Sequence, residues 1–276
     1  MAQSTDNGQR TTDNVILTIA GFDPSGGAGV LADIKTISAF GCYGVAAITS
    51  LTYQNTQEVF GASHQSGVAV VGQIKPLCND FDIAAVKTGM LPTAEVIQAV
   101  ASELGLKPAP FIVVDPVVRS TSGYDLIDDD ALQALIEKIF PLAPVVTPNA
   151  AEAERIMGIR VHDRQTMEKA AENILALGPR AVLVKGGDLE SDSAIDLLLD
   201  ERGVEVFSSE RVRSKNTHGT GCALSSALAC LLARGYELRE AIPIAKRYLV
   251  EAIRTAPGLG HGHGPLNHFP PGFQPA

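Results

Sequence analysis

The chain has 276 residues, enough for one large α/β domain with a self-sufficient core. Apolar residues make up 45% and the formal net charge is −9, which argues against a disordered polymer and against a broad nucleic-acid-binding face. The opening MAQSTDNGQRTTDN lacks the basic-then-apolar layout of a secretory leader, and no apolar run approaches the roughly 20 residues of a membrane span.

Residues 1–14 read as a disordered polar head. VILTIAG (15–21) is a buried strand, and a glycine-rich turn leads from it into the helix AGVLADIKTISAF. VAAITSLTYQN (45–55) is a strand, after which Val70, Ile74, Leu77 and Cys78 recur at helical spacing. IAAVKTG (83–89) is a strand, TAEVIQAVASEL a helix and FIVVDPV (111–117) a strand. DDDALQALIEKIF opens with acids, which suit the positive start of a helix. PVVTPN and AVLVKGG are strands on either side of the amphipathic helix RQTMEKAAENILALG. AIDLLLDERGVEVFSS is a hairpin about an Arg-Gly turn, and two last helices begin near Gly221 and Glu237. Near-continuous apolar strands alternating with helices predict a mostly parallel sheet covered on both faces. No repeat or linker interrupts residues 15–269, so one domain is expected there, with 270–276 a proline-rich tail.

The four cysteines, Cys42, Cys78, Cys222 and Cys230, form no C-x-x-C pair. That usage fits a reducing cytoplasm. Cys42, Cys78 and Cys230 sit in apolar runs and read as core residues.

AGFDPSGGAGVLAD (20–33) passes from strand to helix through four glycines, which let backbone amides approach an anion closely. Gly27, Gly29 and Ala32 fit a dinucleotide G-x-G-x-x-A, but the next acid after Asp33 is Glu58, and no ribose-binding acid ends a strand near position 47. A P-loop fails because Ile34 stands where glycine is required before Lys35-Thr36. A tight structural turn accounts for these glycines equally well.

In open α/β sheets, ligands bind beyond the carboxyl ends of the strands. Asp23, Asp115, Asn149 and Lys185 all occupy such ends, with Glu152 one turn after Asn149. Each also has a local reading as a cap, a turn residue or a strand end. Together they suit a nucleotide and a Mg²⁺ ion held largely through water. In THGTGCALSSALACLLARG (217–235) the residues Thr217 to Gly221 precede a helix whose first amides lack helical partners, an anion hole for a transferring phosphoryl group. Cys222 at that mouth is expected to ionise below the ordinary thiol value of about 8.5 and to assist proton removal. The alternative is a small filler of the first turn.

The runs AGFDPSGGAGVLADIKT, TYQNT, KTGML, DPVV, TPNAAEA, VLVKGG, NTHGTGCALSSA and GHGPLNHF follow in that order. With them the chain closely resembles, from about residue 15 to 269, the hydroxymethylpyrimidine/phosphomethylpyrimidine kinases of thiamine biosynthesis, members of the ribokinase-like superfamily. The resemblance implies a ribokinase-like three-layer α/β/α sandwich and ATP-dependent phosphorylation of a pyrimidine alcohol, first to the monophosphate and then to the pyrophosphate. It implies Gly21, Asp23, Gln54 and Met90 around the pyrimidine, and Gly219, Thr220, Gly221 and Cys222 at the transferred phosphoryl group. Asp115 and Glu152 would organise Mg²⁺, and Asn149, Lys185, Thr217 and Lys246 would face the nucleotide. A homodimer is expected, and from the charge and the lack of a long apolar run, neither nucleic-acid nor membrane partners.

Arg119, in RSTSG after DPVV, departs from the neutral run expected there; it either alters the phosphate-side pocket or is a solvated side chain. The thiamine-phosphate synthase domain fused to some relatives is not expected here. HGHGPLNH places three histidines within eight residues, but no cysteine or acid completes a metal set. A pyridoxal kinase of the same cysteine-bearing branch is the nearest alternative. A non-catalytic binding protein and a nicotinamide-dependent dehydrogenase are more distant ones.

Overall fold

Side chains alternate across a strand, so a strand buried on both faces must be apolar at consecutive positions. The neighbours Ile16/Leu17, Ala85/Val86, Val113/Val114, Val145/Val146 and Val182/Leu183 meet that condition, and each pair sends one member into each of two separate cores. The computed structural model describes residues 14–106, 109–119, 125–187 and 193–274. Residues 1–13 of the expected head, the last two residues of the tail and most of the RSTSG run lie outside the described residues.

In chain order the elements are β1 (Val15–Phe22), α1 (Gly29–Ala39), β2 (Tyr43–Gln54), β3 (Val59–His64), α2 (Gly67–Asp80), β4 (Ile83–Thr88), α3 (Ala94–Leu106), β5 (Phe111–Val114) and α4 (Asp129–Ala134). There follow β6 (Val145–Val146), α5 (Ala150–Met157), α6 (Arg164–Leu175), β7 (Val182–Lys185), β8 (Ser193–Asp200), β9 (Gly203–Glu210), α7 (Thr220–Ala233) and α8 (Leu238–Arg254). They build one sheet in the order β3-β2-β1-β4-β5-β6-β7-β8-β9. The pairs from β2 to β7 are parallel, while β2–β3, β7–β8 and β8–β9 are antiparallel.

Helices α2, α3, α4, α5 and α6 cover one face, and α1, α7 and α8 cover the other, giving three layers as expected. Helix α7 is the central one: Ala223 to Leu232 are all buried, and it packs on β4 and β5 between α1 and α8. A helix apolar on every side is what such a position demands. Each buried aliphatic side chain contributes roughly 1.5–3 kcal/mol.

Three local expectations needed correction. β3 was not foreseen: VFGASH is short, broken by a glycine and mostly not buried, and its strand pairs antiparallel with the outer edge of β2. The acidic helix is not regular throughout, since a π turn at Leu135–Ile139 and a 3₁₀ turn at Phe140–Leu142 end it against Pro141. The hairpin turns on Glu201 and Arg202; Gly203, at φ 94°, already pairs with Asp200.

The histidine-rich C-terminal segment has a structural place. His268 is buried with its Nδ1 3.1 Å from Thr36 Oγ1, and burial, with Lys35 nearby, pushes its imidazole down to about 4. In the unfolded chain the same ring titrates near about 6.5. Its neutral form therefore contributes stability above that value, and the contribution is lost as pH falls from about 6.5 towards 4. The loss should reach about 3 kcal/mol. Urea melts at pH 7 and 4.5 should show it, and a flatter pH response is expected for His268→Asn.

Candidate active site

The parallel strands β1, β4, β5, β6 and β7 end on the same edge of the sheet. The strand order reverses between β1 and β4, which opens a crevice there. A cavity of about 930 Å³ occupies this edge. Gly21, Asp23, Gln54, Met90, Asp115, Asn149, Glu152, Lys185, Thr217, Gly219, Thr220, Gly221, Cys222 and Lys246 all line it. The structure thus gathers into one space residues spread over more than two hundred positions.

Helices α1 and α7 enter this cavity through glycine turns, and neither start is capped by the side chain of its N-cap residue. By contrast Ser66, Asp128, Asn149 and Asp163 cap α2, α4, α5 and α6. The open amides of α7 and the positive end of its dipole therefore face the cavity. Two glycines are sterically required. Gly219 has φ 84°, and a Cβ on it would stand 1.9 Å from the Gly27 carbonyl oxygen. Gly29 has φ 57°, and a Cβ there would stand 2.2 Å from the Gly21 carbonyl oxygen. The two glycine turns are pressed directly against each other.

Asp23, buried between them, accepts from Ser25 N at 2.8 Å, Ser25 Oγ at 2.9 Å and Ala28 N at 2.9 Å. His218 Nε2 lies 2.8 Å from the same carboxylate. Burial alone would raise the Asp23 carboxyl, but the bonds from His218 and Ser25 outweigh it and hold it below its usual range. Asp23 therefore ties the first glycine turn to the second through His218, a residue the sequence reading passed over. Met90 lies against Gly21, where a Cβ would meet its sulfur at 3.0 Å, and Thr49 Oγ1 donates to the Met90 carbonyl at 2.7 Å.

On the other side of the α7 start, Lys185 Nζ lies 2.8 Å from Asp115 Oδ1 and 3.8 Å from Glu152 Oε2. Gly221 packs on this group, since a Cβ on it would lie 3.2 Å from Lys185 Nζ and 3.3 Å from Asp115 Oδ2. Burial works against the Lys185 charge, but Asp115 and Glu152 more than offset it, so its pKa is raised. Asn149 and Glu152 have a second task as the capping box of α5: Glu152 N donates to Asn149 Oδ1 at 2.8 Å, and Asn149 N donates to Glu152 Oε2 at 2.7 Å. Lys246 is buried in an ion pair with Asp196, whose Oδ1 accepts from Gly186 N at 3.1 Å. Arg119 is exposed and bonds Asp125 at 2.8 Å.

Cys222 corrects one expectation. Burial pushes its thiol up to about 12, against the opposing pull of Lys87, with Asp33 and Asp115 adding to the rise and the Gly29 N–H acting against it. The helix start does not overcome desolvation at this position. The thiol is protonated at neutral pH.

Lys87 and Asp33 were also missed. Both are 0% exposed, with Lys87 Nζ 2.9 Å from Asp33 Oδ2. A lysine ending the apolar strand IAAVKTG was a readable signal, the same one that marked Lys185 in VLVKGG.

A family model described as phosphomethylpyrimidine kinase matches residues 23–267. The chain is 47% identical over 254 residues to the thiamine biosynthesis bifunctional protein ThiED of Geobacter sulfurreducens, covering 92% of this chain and 52% of that protein, about half its length. It is 45% identical over 258 residues to the hydroxymethylpyrimidine/phosphomethylpyrimidine kinase of Rhizobium meliloti, covering 92% of this chain and 97% of the relative. Among solved structures, an ADP complex of Bacillus subtilis pyridoxal kinase superposes with a TM-score of 0.86 at 34% identity, covering 94% of this chain and 98% of that one.

Proposed function

The chain belongs to the phosphomethylpyrimidine kinase family, and from that premise we propose that it phosphorylates 4-amino-5-hydroxymethyl-2-methylpyrimidine with ATP, first to the monophosphate and then to the pyrophosphate, in thiamine biosynthesis. The observation that carries the reading is the uncapped start of α7, which lies beside the Asp115–Lys185–Glu152 group within one cavity. Gly21, Asp23, Gln54 and Met90 hold the pyrimidine: Gln54 pairs with the ring nitrogen and amino group, and Met90 packs on the ring. Asn149, Lys185, Thr217 and Lys246 face the nucleotide.

Asp115 and Glu152 offer hard carboxylate oxygens with a lysine between them, a set that suits a Mg²⁺ keeping its waters better than direct ligation. The ion would neutralise phosphate charge when bound. The Gly219 and Gly221 amides bind the equatorial oxygens of the transferring group, beside Thr220, whose own N–H donates to the Thr217 carbonyl at 3.3 Å. The acceptor oxygen attacks the γ-phosphorus, the bond to the bridging oxygen breaks, and ADP leaves. The hydroxyl proton passes to the Cys222 sulfur in its ionised form, a small fraction at neutral pH that grows as pH rises. A loose transition state depends on positioning and charge stabilisation more than on a strong base.

The two phosphorylations differ at this point. The second acceptor is a phosphate oxygen, already ionised at neutral pH because its second pKa lies near about 6. Cys222→Ala should therefore slow the first phosphorylation about ten- to a hundredfold and the second less than about threefold, with kcat of the unaltered enzyme still rising with pH above 9. Mass spectrometry of products from the pyrimidine alcohol, or from its monophosphate, with ATP and Mg²⁺ reads both steps. Equal slowing of both would remove the proton-transfer role. Absence of any phosphorylated pyrimidine, with pyridoxal phosphorylated instead, would replace the substrate reading by the pyridoxal one. The 45% identity to a pyrimidine kinase, against 34% to the pyridoxal kinase, supports the former.

The free cysteines support a cytoplasmic setting. On the β2–β3 edge, Tyr53 and Phe60 are 55% and 63% exposed, which supports pairing of two copies there. Sedimentation velocity of the wild type and of Phe60→Glu tests that pairing.

A further inference from the structure

Below Cys222 lies a charged group to which the reaction scheme above gives no part. Asp33 of α1 collects three donors in an interior with no exposure: Thr18 Oγ1 from β1 at 2.6 Å, Lys87 Nζ from β4 at 2.9 Å and Ser226 Oγ from α7 at 2.9 Å. Ser226 is four residues after Cys222, so both stand on one face of α7, a turn apart. Of the ion pair only Lys87 lines the cavity. The pair is therefore a fixed dipole with its positive end towards the reacting atoms. A buried pair often costs as much in desolvation as it returns in attraction, so stability alone gives weak reason for one here.

We propose that Lys87 is a positioning residue for phosphoryl transfer: held in place by Asp33, it sets a permanent positive pole beneath the Cys222 sulfur and the acceptor oxygen and favours negative charge on both. The groups facing the sulfur are Lys87 from β4, Asp33 and the Gly29 N–H from α1, Asp115 beyond β5 and Lys185 at the end of β7. Lys87 is the strongest influence opposing the effect of burial on that thiol. Lys87 itself stays cationic, because the Asp33 charge leads in outweighing its own desolvation. Preorganised charge of this kind acts without reorganisation as negative charge develops.

The inference rests on the role given to Cys222 above, but its test needs no substrate. Alkylation of Cys222 by iodoacetamide at pH 8.5, far below the titration of the thiol, proceeds in proportion to the thiolate fraction and is followed on the Cys222 peptide by mass spectrometry. The double variant Lys87→Met/Asp33→Asn removes both charges while keeping the volume. Its alkylation should slow at least about threefold, and kcat of the first phosphorylation should fall at least about tenfold with KM for the pyrimidine alcohol within about threefold. Ser226→Ala breaks the tether between α1 and α7 but removes no charge, and its alkylation rate should stay within about twofold of wild type. Lys87→Met alone removes the same positive pole, reads the same slowing and decides the matter should the double variant not fold. Unchanged alkylation in a folded charge variant, equal slowing in Ser226→Ala, or failure of both charge variants to fold would make the pair purely structural and overturn the proposal. Slowed alkylation with kcat unchanged would instead count against the role of Cys222, leaving the electrostatic effect of Lys87 intact.

Discussion

Gly219→Ala should lower kcat/KM by about a hundred- to a thousandfold, the scale of losing a preorganised donor to a developing oxyanion. The backbone there is at φ 84°, a region that costs a residue with a Cβ about 1–3 kcal/mol. The larger effect is steric. The new methyl would stand 1.9 Å from the Gly27 carbonyl oxygen, so the two glycine turns must part. Parting them moves the first amides of α7 away from the acceptor side and strains the link between Asp23 and His218, 2.8 Å long in the native structure. Helix α7 itself stays anchored by its buried Ala223–Leu232 run, so far-UV circular dichroism should be unchanged. Steady-state kinetics of the folded variant decide the question: activity within tenfold of wild type would mean that the transferred group does not sit in this cup.

Lys185→Met should produce the second large effect, this time in stability as well as rate. Asp115 is 2% and Glu152 4% exposed, and Lys185 is the cation that bridges them. Removing it leaves two buried carboxylates without their shared cation, and breaking a buried pair in this way costs about 3–5 kcal/mol. Urea titration should register that loss as a lower midpoint with the slope preserved. The combination Lys185→Met/Asp115→Asn should recover most of the stability and none of the activity, because the lysine proposed to face the nucleotide would still be missing. Full stability in the single variant would mean that the three groups are solvated and not mutually dependent.

The order of strands and helices was legible from residue types because most segments are set by local pattern. VILTIAG and FIVVDPV are apolar at consecutive positions, as strands covered on both faces must be. Helix α5 was missed although its Asn149–Glu152 capping box is local, while two other misses share one cause, dependence on a distant partner. β3 holds its conformation only through β2, and the helix after Asp128 changes pitch only where Pro141 meets the packed interior. The side chains chosen by the carboxyl-end rule and by family resemblance were all found in one cavity. Lys87 escaped the same rule although its strand reads much like that of Lys185. His218 was hidden among residues whose glycines drew the attention.

Residue types and spacing alone determined a parallel sheet covered on both faces, the edge of the sheet that would carry chemistry and the glycine turn at the mouth of α7, since each follows from backbone geometry over a few neighbouring residues. Only the tertiary structure decided charge states and tethers: that Cys222 is a protonated thiol, that Asp23 serves His218 and its own turn, and that Lys87 is held by Asp33. Ionisation depends on desolvation and on charges that arrive from other elements. Cys222 and Lys87 are 135 positions apart in the chain and meet only when α7 packs on β4.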